Sequence, residues 1–307
     1  LPEFLPPKQF LGSPAVMSHR WSVEESLAYT RWLATHHYEN FHVVSFLLPR
    51  EFHQDFYNVY AYCRWADDLG DEIGDRRRSL ELLNWWREEL NRLYASGNAS
   101  HPVFIALATT IQRRELPIEP FRDLVAAFVM DQAVDRYRDW EEVFYYCRYS
   151  ANPVGRLILH LWGYKDPERQ RLSDATCTAL QLANFWQDVT VDWEKGRVYL
   201  PLDLLARHGA SVRDIEARRF TPALGEAMKE AVAVAREWFE RGLPLIGMVD
   251  RRLSVDLELF SRGGMRILEK IERQGYDVLT KRPTIGKWER GGMVLSLLAR
   301  RTLGQPL

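Results

Sequence analysis

The stretch LANFWQDVTVDWEKGRVYLP, residues 182–201, decides how this chain is read. Asn184, Asp188 and Asp192 follow one another at intervals of four, among Leu, Phe, Trp and Val. Four residues is just over one helical turn, so the three side chains fall on one stripe of a helix. A solvated helix face would account for one such pair of acids. A second stretch weakens that explanation. In YNVYAYCRWADDLGDE, residues 57–72, Tyr60, Arg64, Asp67, Asp68 and Asp71 fall at offsets 0, 4, 7, 8 and 11, again one stripe bordered by apolar residues.

Two such helices facing one another would aim about five oxygen-bearing side chains into one cavity. Like charges a few ångströms apart repel, on the order of several kcal/mol at intermediate dielectric. A cation must offset that. Magnesium suits the donor set, because it takes a few carboxylates and completes its octahedron with water and phosphate oxygens. The pattern therefore predicts a phosphate-bearing ligand, with a diphosphate leaving group drawn off its carbon. Arg64 beside the first stripe, and Lys195 and Arg197 past the second, would complete the clamp. Arg64 can equally pair with Asp68 across one helical turn.

Outside these stretches the chain reads as helical almost throughout from Ser22. SVEESLAYTRWLATHHYENF opens on a serine with Glu three residues later, a capping box. Apolar residues recur three and four apart in every later segment, and no alternating run bounded by a hairpin turn occurs. Gly97-Asn98, Pro102, Pro117, Gly163 and Pro222 fall between segments or at their edges. The expectation is an all-α, single-domain bundle over residues 22–307, of roughly eight to ten helices around a central cavity. Residues 1–21, proline-rich and without an initiator Met, are expected to be a disordered leader or a non-native remnant.

The 307 residues are 46% hydrophobic and 27% charged, with a formal net charge of −1. No global field favours nucleic acid. Cys63, Cys147 and Cys177 are odd in number and form no CxxC, which fits a reducing, cytoplasmic setting without disulfides or zinc. No apolar run is long enough to cross a bilayer. The mixed basic and apolar segment 281–307 would either lie on the inner membrane face or pack as a final helix.

YAYCRWADDLGDE and LANFWQDVTVDWEKGRVYLP resemble the two aspartate signatures of the squalene/phytoene synthase family, and the likeness runs from about Ser22 to Lys287. HYENFHVVSFLLP, YCRYSANPVGRL and SDATCTALQLANFWQDV look like its bacterial hopanoid-pathway branch, the hydroxysqualene synthases. The resemblance implies an isoprenoid-synthase fold. It makes Asp67, Asp71, Asn184, Asp188 and Asp192 magnesium-site residues, with Asp68 contributing. It makes Arg64 and Arg197 diphosphate contacts, His37 and Asn40 part of an N-terminal diphosphate-binding segment, and Tyr276 a residue closing over the site. Asp131 matches a family acidic position.

Two departures bear on the reaction. Relatives making squalene or phytoene usually carry Arg where this chain has Gln187, and a small pair where it has Asn152-Pro153. Gln187 and Asn152 are accordingly expected to face the cavity and hold a nucleophilic water, and Pro153 to kink its helix. The rest of the pocket should be apolar and aromatic, drawn from Phe41, Phe46, Tyr57, Tyr60, Phe128, Tyr146, Tyr149, Leu157 and Phe185. Such rings stabilise a passing carbocation by about 0.5–2 kcal/mol.

The implied reaction is conversion of presqualene diphosphate to hydroxysqualene, with Mg2+ as cofactor and pathway enzymes before and after it as partners. Its rivals are head-to-head condensation of two farnesyl diphosphates, and a non-catalytic helical scaffold of the same fold.

Overall fold

The computed structural model describes residues 3–36, 49–286, 289 and 291–293. The described residues form fifteen α-helices and one 3-10 helix, more than the eight to ten expected, because runs read as single helices are divided and short helices form in segments not assigned as helical. Among them no strand forms, and a single bridge pairs Arg136 with Val198. The chain divides into two compact units, Leu1–Ala133 with Pro153–Asp166, and Val134–Asn152 with Pro167–Leu307.

The first unit contains α1 (Pro7–Leu11), α2 (Pro14–Met17), α3 (Val23–His36), α4 (Arg50–Asp71), α5 (Arg76–Ser96), α6 (Pro102–Arg114) and α7 (Glu119–Asp131). Their ends follow from local chemistry. The Ser22 hydroxyl accepts from the Glu25 amide at 3.2 Å and the Glu25 carboxylate from the Ser22 amide at 2.8 Å, so the expected capping box opens α3. Asp75 accepts from the Arg78 amide at 2.7 Å to start α5, which ends on Gly97 at φ 72°. The core is built on Leu33, Tyr62, Trp65, Trp86, Phe104 and Phe121, all essentially inaccessible. Trp65 and Trp86 stack at 5.2 Å with an interplanar angle of 8°.

The expectation of disorder before Ser22 is corrected here. Phe10 is 1% exposed, and its ring meets Trp65 edge-on at 5.1 Å. The Tyr29 hydroxyl donates to the Leu5 carbonyl at 2.9 Å. Pro7 and Pro14 sit at the first positions of α1 and α2, where a missing N–H costs nothing. Proline there starts helices, and the aromatic residues between the prolines supply anchors.

A second correction concerns Pro153. The helical run breaks before it: α8 (Trp140–Ser150) stops, Ala151 turns, and α9 (Asn152–Leu161) begins. Pro153 therefore lies in a first helical turn, which tolerates it, and bends no continuous helix.

The second unit contains α8, α10 (Pro167–Gln187), α11 (Val189–Glu194), α12 (Leu202–Arg207), α13 (Val212–Glu216), α14 (Pro222–Gly242), the 3-10 helix Leu243–Gly247 and α15 (Arg251–Arg273). Glycines bring its long helices together. A Cβ on Gly242 would lie 2.9 Å from the Thr176 backbone nitrogen, so α14 approaches α10 as closely as glycine allows. The three cysteines are free thiols. Among the described residues, no helix is long and apolar enough to cross a membrane.

Candidate active site

The first acidic stripe lies on the last two turns of α4. Arg64 reaches forward one turn, its guanidinium 2.5 Å from Asp68 and 3.4 Å from Asp67. The spacing-based pairing of Arg64 with Asp68 is thus present. Asp68 is buried, and burial pushes its carboxyl up to about 6 despite the neighbouring Arg64 charge. The Asp67 carboxylate is 43% exposed, and Asp71, at the helix end, is exposed. Tyr60, one turn before Arg64, is buried and packs with Ala34.

What holds this helix end was not visible in the motif. The Gln132 side chain, just past α7, donates to the Gly70 carbonyl at 3.0 Å. A Cβ on Gly70 would stand 3.4 Å from the Phe128 Cβ, so α7 and α4 approach closely there. Asp131, the end of α7, neighbours Gln132 in this unit. His37, Asn40, Phe41 and Phe46 lie outside the described residues.

The second stripe departs from the expected continuous helix. α10 ends at Gln187, Asp188 takes φ −108° and ψ 17°, and α11 starts at Val189. The hydrogen-bond ladder nonetheless runs through. The Asp188 amide donates to the Asn184 carbonyl at 2.9 Å, and the Asp192 amide to the Asp188 carbonyl at 2.8 Å. The four-residue spacing therefore keeps its meaning. Asn184 is exposed, while Asp188 and Asp192 are half-buried.

Burial, then the like charge of Asp188, pushes the Asp192 carboxyl up to about 7, against the pull of Lys195, Arg197 and Arg282. The turn past α11 delivers two of those cations. Gly196 sits at φ 78°, and the Lys195 and Arg197 amides both donate to the Asp192 carbonyl, at 3.1 and 2.8 Å. Arg136 pins the turn, donating to the Gly196 carbonyl at 2.5 Å with its guanidinium 5.2 Å above the Trp193 ring.

Arg282 is the residue that motif reading missed. Its Nε donates to Asp188 Oδ1 in a short ion pair. Next to it, Gln187 Nε2 donates to the Pro283 carbonyl at 2.7 Å. Sequence alone showed KRP only as part of a basic tail.

The other expected site residues are placed as follows. Asn152 is buried, and its amide oxygen accepts from the Thr178 hydroxyl at 3.0 Å, which accounts for its burial without a bound water. Phe185 is 5% exposed and stacks on Tyr199 at 3.7 Å, beside Tyr146, so it belongs to the aromatic core of this unit. Tyr149 is half-buried against Tyr145, ring centroids 5.0 Å apart. Tyr276 follows α15 in the left-handed region at φ 65°, after Gly275 at φ 66°.

The donor chemistry fits a hard, hydrated cation. Among the described residues no three His, Cys, Asp or Glu side chains gather as a closed metal site. Magnesium does not need one, since one or two carboxylates suffice when water and phosphate fill the remaining positions. The half-buried Asp188–Asp192 pair, with the Asp192 carboxyl raised first by burial and then by its like-charged neighbour, is a pair that a divalent cation would relieve.

The model of the squalene/phytoene synthase family matches residues 34–289. The chain belongs to that family. It is 34% identical to the hydroxysqualene synthase of Rhodopseudomonas palustris over 280 residues, 88% of this chain and 93% of that protein. It is 33% identical to the phytoene synthase of Thermus thermophilus, over 90% of this chain and 92% of that one. The crystal structure of the squalene synthase HpnC from Alicyclobacillus acidocaldarius shares 46% identity and superposes with a TM-score of 0.79, over 83% of this chain and 95% of that chain. The fold is accordingly the all-α isoprenoid-synthase fold.

Proposed function

We propose that this enzyme converts presqualene diphosphate to hydroxysqualene in a magnesium-dependent ionisation. The observation that carries the reading is the half-buried Asp188–Asp192 pair, ringed by Lys195, Arg197 and Arg282, in a chain of this family. Asp67 and Asp71 of the first stripe are one donor set for magnesium and Asn184, Asp188 and Asp192 of the second are another, and the metal would supply Lewis-acid stabilisation of the departing diphosphate.

The chain's own residues do the rest. Arg64, Arg197 and Lys195 bind the phosphate oxygens, and the guanidinium planes favour paired contacts. As the carbon–oxygen bond breaks, its electron pair leaves with diphosphate. The cyclopropylcarbinyl cation rearranges, water adds to it, and one proton is lost to give a C30 alcohol. Gln187 keeps its amide oxygen for that water while its nitrogen is engaged by Pro283. No redox step is required. The hydroxysqualene synthase of R. palustris and the Gln187 substitution support water capture over reduction.

The phytoene synthase of T. thermophilus favours a second reading, head-to-head condensation of two prenyl diphosphates. Incubation with magnesium and presqualene diphosphate, with and without NADPH, separates them by product mass spectrometry. Hydroxysqualene formed without NADPH is the expected result. Product obtained only from farnesyl diphosphate would move the assignment to condensation.

A further inference from the structure

We propose that His101 is an acid-sensitive latch, which holds the leader, residues 3–21, onto the core of the first unit and releases it when the ring gains a proton.

The His101 ring sits in an aromatic cage. Phe10 of α1 lies 5.0 Å from it, Trp65 of α4 4.4 Å, Trp86 of α5 5.1 Å, Trp85 of α5 5.7 Å and Phe104 of α6 6.0 Å, centroid to centroid. The three indoles stand at 78° to 84° to the imidazole plane. His101 is also the N-cap of α6, where its Nδ1 accepts from the Val103 amide at 3.3 Å. That bond assigns the proton of the neutral ring to Nε2. Nε2 is buried and has no hydrogen-bond partner among the described residues, so only aromatic rings receive its N–H.

An imidazolium does not fit this cage. Both nitrogens would then donate, so the Val103 bond would be lost, and the charge would have neither water nor a carboxylate against it. Aromatic faces return only part of that cost. Burial pushes the ring down to about 3, and burial is the one cause. The charged groups on the packed elements are engaged elsewhere. Lys8 of α1 is exposed, Arg64 and Asp68 of α4 pair with each other, Glu89 of α5 pairs with Arg92, and Arg113 and Arg114 of α6 pair with Asp55. Tyr29 stays neutral, since burial raises its hydroxyl, which accepts from Trp65 Nε1 at 3.1 Å.

The leader is the wall of the cage that can move. Its helices have five and four residues, too short to persist alone, whereas the other four rings belong to long helices. It is held by Phe10 on Trp65 and His101, by Phe4 against Trp21 and Trp32, and by the Tyr29 hydroxyl on the Leu5 carbonyl. Lifting α1 opens the ring to water, where it titrates near its ordinary value of about 6.5. Above that pH the seated and lifted states bind the same protons, and seating ignores pH. Between about pH 6.5 and pH 3 the lifted state holds one more proton, so its share grows about tenfold per pH unit. Trp65 directly follows Arg64, so the latch rests on the helix that carries the first acidic stripe.

Limited trypsinolysis of the full chain reads the lifted state as the rate of cutting after Lys8. Dividing by the rate for His101→Phe at each pH cancels the pH dependence of the protease. The ratio should rise about 30-fold from pH 7.5 to pH 5. Phe10→Ala, which removes the anchor and leaves the ring, should be cut faster than wild type at pH 7.5 and respond less to pH. A ratio that does not change with pH overturns the latch. Histidine NMR of the wild type gives a second reading without a variant: the His101 ring of the seated form should still be neutral at pH 5. A His101 that titrates near 6.5 in the folded chain overturns the latch as well.

Discussion

The two acidic stripes share a residue pattern and differ in how their charge is balanced. On α4 the counter-ion comes from the same helix, Arg64 one turn before Asp68. At the α10–α11 break it comes from a strap 94 residues away, Arg282 on Asp188. A local partner is fixed once the helix forms, so Asp68 can be buried against it. A distant partner can be exchanged without undoing a helix. The second stripe is therefore the one built to trade its counter-ion for another cation, and on the first only Asp68 is held in place, while Asp67 and Asp71 stay exposed.

The largest effects should follow the carboxylates that are not locked. Asp67→Asn and Asp188→Asn should each lower turnover of presqualene diphosphate about 10^3-fold, the equivalent of several kcal/mol of lost charge stabilisation. Asp68→Asn should cost only about tenfold, because Asp68 is buried and held at 2.5 Å by Arg64, whereas Asp67 is 43% exposed and 3.4 Å from the same guanidinium. Product formation at saturating magnesium measures all three. If Asp68→Asn were as damaging as Asp67→Asn, the division between a structural and a functional acid on α4 would collapse.

Stability should sort the two arginines in the opposite order. Arg64→Met strands a buried carboxylate, which then neutralises only by binding a proton. We expect a loss of about 2 kcal/mol, or roughly 4–8 °C in Tm. Arg282→Met removes a half-exposed ion pair and should cost under about 1 kcal/mol. Scanning calorimetry of both variants at neutral pH without metal makes the comparison. Equal falls in Tm would mean that the strap is as integral to the fold as α4.

What the sequence revealed follows the same division. Helical class, the capping box at Ser22, and the spacing of both stripes are local properties, and each survives in the structure. The pairing of Arg64 with Asp68 was legible for the same reason. Arg282 was not, because nothing in KRP at 281–283 marks a partner so far back in the chain. Asn152 was read as a cavity residue from its departure from the family pattern, and Phe185 as an aromatic lining candidate. Their neighbours Thr178, on another helix, and Tyr199, in the segment between α11 and α12, make them core and carry no local signal. The leader was misread because proline has two meanings, breaker inside a helix and starter at its first turn, and only tertiary anchors such as Phe10 select between them.

A third acid extends the comparison. Asp256 on α15 is buried, and no cation stands against it among the described residues. Burial first, then the charge of Asp250, pushes its carboxyl up to about 7. The folded-state value thus lies above the ordinary one. Below about pH 4 the group is neutral folded or unfolded and costs nothing. As pH rises towards 7 the unfolded chain ionises while the folded chain still holds its proton, so stability falls, and the loss levels off above 7. Asp256→Asn removes the ionisation but still buries an amide, which offsets part of the gain. The variant should match the wild type near pH 4 and exceed it by about 1 kcal/mol at pH 8, roughly 2–4 °C in Tm. Magnesium should not alter that difference, whereas it should raise the Tm of the wild type relative to Asp188→Asn. A Tm gap independent of pH would show that Asp256 is compensated like Asp68. The contrast between locked, exchangeable and uncompensated acids would then reduce to the two stripes alone.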